Sequence, residues 1–477
     1  MNGAIAAGHP LTAAAGARVL EAGGSAVDAC VAAAVTSWVC ESMLTGPGGG
    51  GFMLVHEASS GRSVVLDFFV TVPRGAASGS LLELAVDFDG DTQQRFRTGC
   101  AAVAVPGTAL GVAEAHGRWG RLPWASLVRP AAALARDGFE LTPMQGYLHA
   151  ILDGLLRHSP EGDAMYGAGG RAYRTDERFA LPELGATLER FASEGVSVLY
   201  EGDLAEAVVA HVHGGGGALS VEDLGAYEVV EREPVSVPYR GHEFRSNPPP
   251  SAGGVLIALG LQVLGDDDPT PLRVASAMET QEAVRDATFA RSLHDQNAAL
   301  QVLKGTTHIS VLDADGNAAS LSASLGSGSG VVVPGTGLHL NNMLGELDLM
   351  GASQPGERLT SMMSPSLVLL DGRPRLVLGS AGSARLRGAI LQVVGNVVAG
   401  LPVRDAVDAP RVHAEGGVVH CEDPKAADEL EAAGRAVVRW KERNLYFGGV
   451  SAVEVAADGA LAAAGDPRRG GAGVVVA

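Results

Sequence analysis

The 477-residue sequence predicts a mixed α and β fold built around antiparallel hairpins. The first observation is the stretch 304–342, where β-branched and small residues alternate on either side of an Asp315-Gly316 turn signal. This pattern predicts a hairpin with strands at 307–312 and 318–325. The second observation is a pair of alanine-rich segments with capping residues near the start, which indicates two consecutive helices. Hydrophobic residues make up 46% of the chain and support a sizeable core.

Helices and strands follow in order along the first half of the chain. His9-Pro10 opens a helix that runs to about residue 21, and Ser25 caps a second helix over 26–39. A glycine run at 46–51 leads into a strand, and the absence of a following Lys-Ser/Thr argues against a phosphate loop. Further predicted elements are a strand at 64–70, a helix from Thr108 toward His116, and a helix from Trp124 to near Gly138.

Composition and charge argue against several classes of partner. The chain has 35 Lys and Arg against 54 Asp and Glu, a net charge of −19 without a basic run, which argues against nucleic acid and anionic membrane surfaces. Its alanine-rich stretches are too short to span a bilayer. Because no basic segment with an apolar run and a cleavage site precedes the body, a cytoplasmic location is expected. Four widely spaced cysteines without metal-ligand spacing are expected to be buried in a reducing compartment: Cys30, Cys40, Cys100 and Cys421.

Thr306, the first residue of the predicted hairpin, is the candidate nucleophile. A cut between Gly305 and Thr306 would give Thr306 a free α-amine, whose ordinary pKa of about 7.7–8.0 leaves a useful fraction unprotonated near neutral pH. Such an amine can take the proton of the hydroxyl on the same residue. Glycine at 305 permits a backbone distortion that primes the scissile carbonyl. The alternative interpretation is an ordinary hairpin with an unremarkable Thr-Thr pair.

The segment 306–313, Thr-Thr-His-Ile-Ser-Val-Leu-Asp, resembles the start of the small subunit in the γ-glutamyltransferase family of N-terminal-nucleophile hydrolases. Further resemblances follow in order at 46–51, 199–202, 248–254 and 466–470. The resemblance therefore covers essentially the whole chain. It implies a four-layer αββα sandwich made by two subunits cut from one precursor, a large one of 1–305 and a small one of 306–477. These two fragments would stay together as a noncovalent αβ heterodimer.

The same resemblance assigns catalytic roles. Thr306 would be the nucleophile of both self-cleavage and catalysis, and Ser324 stands where the family has a threonine that supports it. Gly382 and Ser383 match the Gly-Gly pair whose backbone N–H groups form the oxyanion hole, although a helix N-terminus with serine caps explains them equally well. His308 lacks a second ligand at metal spacing and is expected to be a hydrogen-bonding structural residue. Neither a metal nor an organic cofactor is expected.

The substrate clamp departs from the family pattern. Phe69 stands where typical members have an arginine that binds the α-carboxylate of the γ-glutamyl donor, and phenylalanine offers no charge-assisted bond. The positions that hold the donor's amine correspond to Met343 and Glu346, and those of two paired serines correspond to Ser361 and Met362. Burying a carboxylate without partners costs several kcal/mol. We therefore expect a more apolar pocket that disfavours γ-glutamyl groups and, because the segment after 342 is short, an open cleft.

The predicted function is an autoprocessing hydrolase that cleaves or transfers an acyl group of a small-molecule substrate, γ-glutamyl by family default, through an acyl-Thr306 intermediate. One alternative is an acylase for other acyl amides, or a C–C bond hydrolase of the kind that resembles these enzymes in actinobacterial natural-product pathways. Another is a non-catalytic scaffold, against which the intact sequence at 305–308 argues. The connector 292–305 is short for the family, so whether self-cleavage is retained is a question for experiment.

Overall fold

The computed structural model describes residues 3–88, 92–284, 305–345, 354–382 and 385–477. Its helices are α1 (Pro10–Glu21), α2 (Ala26–Cys40), α3 (Thr108–Trp119), α4 (Trp124–Asp137), α5 (Pro143–Ile151), α6 (Asp153–Leu156), α7 (Pro160–Tyr166), α8 (Pro182–Glu194), α9 (Asp203–Gly214), α10 (Val221–Gly225), α11 (Gly253–Leu264), α12 (Pro271–Ala283), α13 (Arg385–Val398), α14 (Val403–Asp408) and α15 (Pro424–Ala432).

The strands are β1 (Gly3–Ala7), β2 (Gly50–Glu57), β3 (Arg62–Phe68), β4 (Leu82–Phe88), β5 (Thr92–Thr98), β6 (Phe139–Glu140), β7 (Arg178–Phe179), β8 (Val230–Arg232), β9 (Val235–Tyr239), β10 (His242–Ser246), β11 (Gly305–Asp313), β12 (Ala318–Gly326), β13 (Val332–Val333), β14 (Leu338–His339), β15 (Ser366–Leu370), β16 (Arg373–Ala381), β17 (Val412–Glu415), β18 (Val418–Cys421), β19 (Ala436–Arg439), β20 (Gly449–Val455), β21 (Leu461–Gly465) and β22 (Ala472–Val476).

Two large antiparallel sheets organise the chain. The first has seven strands in the order β22-β1-β11-β12-β2-β3-β8, and the second has six in the order β21-β20-β16-β15-β10-β9. The sheets face each other, because β11 and β12 pack against β16 and β1 packs against β20 and β21. Helices α1, α2 and α3 cover the outer face of the first sheet, and α11, α13 and α14 cover that of the second. The expected four-layer αββα sandwich is confirmed.

Three apolar clusters correspond to the three interfaces between these layers. The largest joins the seven-stranded sheet to α1–α10, and a second joins the six-stranded sheet to α11–α15. The third lies between the two sheets. Since hydrophobic burial is the main favourable term in folding, each layer is held by its own apolar face. Among the described helices, none combines the length and apolar character needed to cross a bilayer.

The predicted first helices and the hairpin are confirmed, and side-chain caps explain where they begin. Ser25 accepts a hydrogen bond from the backbone N–H of Asp28, and the Asp28 carboxylate accepts one from the Ser25 N–H, a capping box at the start of α2. The same helix end is fixed to the hairpin, because Asp313 Oδ2 accepts a hydrogen bond from Ala26 N at 3.0 Å. Asp313 Oδ1 also accepts from Asn317 N at 2.9 Å and so closes the β11–β12 turn.

Candidate active site

Thr306 lies at the start of β11, where the pairing of β11 with β12 is irregular. Gly305 pairs with Gly326, and the next pair is Thr307 with Ala323. One residue of β11 therefore faces two residues of β12, which is a β-bulge, a feature common next to active sites. The Thr306 side chain is 1% exposed, and its Oγ1 has no hydrogen-bond partner among the described residues. The hydroxyl is thus buried but not hydrogen-bonded to any described residue.

Ser324 is one of the two β12 residues in this bulge, so the structure brings it opposite Thr306. It is fully buried, and its Oγ accepts a hydrogen bond from Gly326 N at 2.8 Å. On its other side Ser324 pairs with Gly50 at the start of β2. That the Ser324 hydroxyl supports Thr306 as a nucleophile stays a prediction, and its position in the bulge is compatible with that role.

Thr306 lines a cavity of about 20 Å³, a space that accommodates roughly one water molecule. Four titratable side chains line the same cavity: Glu41, His308, Asp466 and Arg469. Residues of both sheets contribute, so the cavity lies where the sheets meet beside the nucleophile. The polar groups there can donate protons, accept them or stabilise charge.

Glu41 directly follows α2, and its carboxylate is buried against the hairpin. Thr307 Oγ1 donates a hydrogen bond to Glu41 Oε2 at 2.6 Å, and Thr12 Oγ1 donates one to Oε1 at 2.9 Å. Burial raises the pKa of Glu41 because the charged form loses its solvation, while both hydroxyls and the positive charge of Arg469 act in the opposite direction. The result is a carboxylate more basic than an ordinary one. It is hydrogen-bonded to Thr307, the residue next to the candidate nucleophile.

His308 forms the centre of a polar layer between the sheets. Its Nδ1 lies 2.8 Å from Ser322 Oγ, and its Nε2 lies 2.9 Å from Ser310 Oγ. Because Ser310 donates to the Ser451 carbonyl at 2.9 Å, it accepts from Nε2–H, and Ser322 donates to Nδ1. Burial lowers the pKa of His308 to about 3, so the ring is neutral. Gly379 makes room for it, since a Cβ there would lie 2.2 Å from the ring. This geometry agrees with the predicted structural role.

Gly382 directly follows β16 and lies close to Arg469. Its φ of 120° favours glycine, and a Cβ on it would lie 2.7 Å from Gly448 Cα and 3.3 Å from Arg469 Nη2. The Nε of Arg469 is buried without a hydrogen-bond partner in the described part of the chain, and burial lowers the pKa of this arginine to about 10, at which it is still a cation near neutral pH. Ser383, the second half of the predicted oxyanion hole, lies outside the described residues, so the pair stays a prediction.

Phe69 lies at the same end of the seven-stranded sheet as Thr306. It follows β3, and its neighbour Val70 is so close to β2 that a Cβ on Gly50 would lie 2.7 Å from Val70 N. The Phe69 side chain is 0% exposed, and its ring stacks on Phe52 with the centroids 5.4 Å apart. At this position, therefore, the side chain packs into the space between the sheets.

Met343 and Met362 lie in the same apolar cluster as Phe69, so the structure brings three of the predicted substrate-binding positions together. Both methionine side chains are buried, and the cluster draws on residues of both sheets. These side chains pack against apolar neighbours and provide no charge and no strong hydrogen-bonding group. Contact between these side chains and the acyl group of a substrate stays a prediction.

The two other predicted substrate contacts are Ser361 and Glu346. Ser361 is fully buried, and its Oγ accepts a hydrogen bond from Met363 N at 3.1 Å. Its carbonyl accepts from Ser251 Oγ at 2.9 Å, so the residue is tied into the loop before α11. Glu346 lies outside the described residues, as does part of the segment from which we expected an open cleft, so both expectations stay predictions.

Arg358 is an arginine close to Phe69, but its guanidinium is already occupied. Its Nη1 donates hydrogen bonds to the Phe69 carbonyl and to Tyr227 Oη, each at 2.7 Å. The same atom lies 3.5 Å from Asp67 Oδ1, a carboxylate that is completely buried. A guanidinium with these partners supports the backbone at Phe69 and does not replace the arginine that the clamp lacks.

Sequence reasoning missed Glu41 and Arg469. Glu41 had a signal, because it is a carboxylate directly after the uncharged run 29–40. Arg469 belongs to the segment 466–470, which was noted only for its resemblance. Neither could be placed beside Thr306 from one sequence, because they are 265 and 163 positions away from it along the chain (306 − 41 and 469 − 306).

Known proteins resemble this chain over nearly its full length. The model of a family described as Gamma-glutamyltranspeptidase matches residues 12–303 and 272–476. The Acylase ACY 1 proenzyme of Pseudomonas sp. (strain SE83) is 34% identical, with 100% of this chain and 94% of that protein covered. The Glutathione hydrolase proenzyme of Pseudomonas aeruginosa is 32% identical, with 100% and 95% covered. The crystal structure of cephalosporin acylase from Bacillus halodurans has a TM-score of 0.84 at 26% identity, with 99% and 95% covered.

Proposed function

The chain belongs to the gamma-glutamyltranspeptidase family of N-terminal-nucleophile hydrolases, and from this premise we propose that it cuts itself between Gly305 and Thr306. The observation that carries the proposal is the Thr306 hydroxyl, which is buried and unpaired within the described residues, beside a polar cavity. Leaving a buried hydroxyl without a partner costs about 1–3 kcal/mol. The need to keep a nucleophile free for attack gives a reason for that cost.

The reaction follows from the chemistry of Thr306 once its amine is free. The amine takes the proton of Oγ1, the oxygen attacks the acyl carbonyl of the substrate, and the leaving amine departs with that proton. Water or an acceptor amine then attacks the acyl-Thr306 ester and restores the enzyme. The backbone N–H groups at Gly382 and Ser383 would donate to the oxyanion, with the cation of Arg469 close to Gly382.

We propose that the two fragments remain together as an αβ heterodimer. The seven-stranded sheet interleaves them, because β1, β2, β3 and β8 come from 1–305 whereas β11, β12 and β22 come from 306–477. β1, from the large fragment, is hydrogen-bonded on both sides to strands of the small fragment, β11 on one side and β22 on the other. Separating the fragments would therefore break the sheet and expose its core.

For the substrate we propose an amide whose acyl group lacks the charged α-amino acid end of a γ-glutamyl group. Phe69, Met343 and Met362 form an apolar cluster where a clamp for that end would be, and nearby Arg358 is bonded internally. At position 69 the donor's carboxylate would meet a phenyl ring in place of a guanidinium, and an unpaired buried carboxylate is strongly disfavoured. The relatives named acylase support this choice over the relatives named glutathione hydrolase.

The first experiment follows self-cleavage. Wild-type protein and a Thr306→Ala variant are compared by intact mass and on a denaturing gel. We expect two fragments from wild type, the smaller beginning at Thr306, and one uncut chain from the variant. Thr307→Ser is the matched control, because it keeps the neighbouring hydroxyl and should still be cut. An uncut wild-type chain would contradict the proposal and favour the scaffold alternative, whereas cleavage in Thr306→Ala would show that Thr306 is not the nucleophile of the cut.

The second experiment compares two acyl groups on one leaving group. γ-Glutamyl-p-nitroanilide and butyryl-p-nitroanilide release the same chromophore, so they isolate the acyl preference. We expect kcat/KM to be at least about tenfold higher for the butyryl compound, which corresponds to about 1.4 kcal/mol. A preference for the γ-glutamyl compound would overturn the substrate proposal while leaving self-cleavage untouched.

A further inference from the structure

Self-cleavage, on which this inference rests, needs a base that the mature enzyme does not need. Before the bond between Gly305 and Thr306 breaks, the nitrogen of Thr306 is part of an amide and cannot take up a proton. The hydroxyl must nevertheless lose its proton when it attacks the Gly305 carbonyl carbon. Some other group close to Thr306 has to accept it.

Three of the four titratable groups around the cavity are unsuited to this task. Both ring nitrogens of His308 are hydrogen-bonded to serines, and its pKa of about 3 makes it a poor base. The Asp466 carboxylate is bonded to Arg411 on one oxygen and to Arg468 on the other, which stabilises its anion. Arg469 is a cation and has no lone pair to offer.

Glu41 is the group that remains. Its carboxylate receives hydrogen bonds from two neutral hydroxyls, those of Thr12 and Thr307, and burial raises its pKa. The cavity that Glu41 and Thr306 both line is large enough for about one water molecule. Two buried polar atoms that line it, Thr306 Oγ1 and Arg469 Nε, have no partner among the described residues and could hold that water.

We infer that Glu41 takes up, through one water molecule in this cavity, the proton that the Thr306 hydroxyl releases during self-cleavage. Oγ1 bonds to the Gly305 carbonyl carbon, its proton passes to the water, and a proton of the water passes to the carboxylate. The C–N bond then breaks, and the proton returns from Glu41 through the water to the departing Thr306 nitrogen. Hydrolysis of the resulting ester frees the Gly305 carboxylate and the Thr306 hydroxyl.

The pH dependence of self-cleavage distinguishes this role from a structural one. Only the ionised carboxylate accepts a proton, so the rate should fall about tenfold per pH unit below the pKa of Glu41 and level off above it. The other groups that face Glu41 are Cys40, His308, Asp466 and Arg469. Burial raises the pKa of Cys40 and lowers that of His308, so neither changes charge near neutral pH.

The test uses full-length protein from cell-free synthesis, with conversion to two fragments followed on a denaturing gel at several pH values. Glu41→Gln keeps the shape of the side chain but cannot accept the proton, and we expect cleavage at least about 100-fold slower with a flat pH profile. Glu41→Asp keeps a carboxylate and should restore both partial cleavage and the rise with pH. In Thr12→Val the midpoint should move to higher pH, because a hydrogen bond that stabilises the anion is lost.

Two results would overturn the inference. One is a Glu41→Gln variant that cleaves itself at the wild-type rate and with the wild-type pH profile. Self-cleavage at Thr306 would then stand, but Glu41 would have no part in it. The other is a flat pH profile in Glu41→Asp, which also covers the case in which Glu41→Gln fails to fold. If the wild-type protein did not cleave itself at all, the proposed function would be contradicted, and not only the role of Glu41.

Discussion

The space between the two sheets is polar around Thr306 and apolar around Phe69, although both residues lie at the same end of the seven-stranded sheet. In the polar part, His308 is hydrogen-bonded on both sides to serines. In the apolar part, Phe69 stacks on Phe52 within a cluster that includes two buried methionines. The first part holds the residue proposed as the nucleophile, and in the second part the positions proposed for a substrate clamp carry apolar side chains.

Under the proposed function, this contrast separates the residues that carry out the chemistry from those that recognise the acyl group. The polar part is built mainly on β11 and β12, and Phe69 follows β3, which is two strands from β12 and three from β11 in the sheet order. Neighbouring strands lie about 4.8 Å apart, so the β3 backbone is roughly 14 Å from that of β11. The two parts nevertheless adjoin, because Ser322 of the polar part pairs with Phe52 of the apolar part. We therefore expect substitutions at Phe69 to disturb the packing against Phe52 more than the hydrogen bonds of His308.

The largest effect is expected from placing a charge in the apolar part. Phe69→Arg would restore the residue type typical of the family, but it would bury a guanidinium in the Phe52 cluster. The neighbouring Asp67 carboxylate is already paired with Arg232 and Arg358 and would not balance that charge. We expect the free energy of unfolding to fall by about 3–5 kcal/mol, measured by urea denaturation. Phe69→Leu, the apolar control, should cost no more than about 1.5 kcal/mol.

The opposite result would contradict the description of the Phe69 region as an apolar core. If Phe69→Arg kept the stability of wild type and gained turnover of γ-glutamyl-p-nitroanilide, position 69 would face the substrate and not the core. The proposed preference for uncharged acyl groups would then depend on this one residue alone.

A second prediction concerns the pH dependence of stability in the polar part. The pKa of His308 is about 3 in the folded protein and about 6.5 in the unfolded chain, so the unfolded state binds more protons between these values. Stability should consequently fall as the pH falls from 6.5 toward 3. From pH 6.5 to 4.5 this one residue should account for about 2 kcal/mol.

The measurement is urea unfolding of wild type and His308→Gln at both pH values. Glutamine does not titrate, so the variant should lose about 2 kcal/mol less than wild type over that interval. His149→Gln is a useful second variant, because burial also lowers the pKa of His149, a residue of α5, to about 4. Equal pH dependence in wild type and His308→Gln would mean that the histidine is not held neutral between the sheets.

The sequence predicted local structure well, because local signals decide it. The Ser25 cap, the helix it opens and the hairpin around Asp315-Gly316 all depend on residues a few positions apart. The αββα arrangement and the roles of Thr306 and Gly382 came through the resemblance. The approach of Glu41 to Thr307 could not be foreseen, because it depends on how α2 packs against β11, and a single sequence carries no signal for that contact.

The smallest effects come from a matched pair of conservative changes, one in each part. Met343→Leu nearly conserves volume within the apolar cluster, so its cost in unfolding free energy should stay below about 1 kcal/mol. Ser322→Ala removes only one oxygen, yet it leaves His308 Nδ1 buried without its donor, and we expect a cost of about 1–3 kcal/mol. Urea unfolding at one pH compares the two directly. A larger loss in Met343→Leu than in Ser322→Ala would mean that packing, and not the hydrogen-bond network, is the more demanding constraint between these sheets.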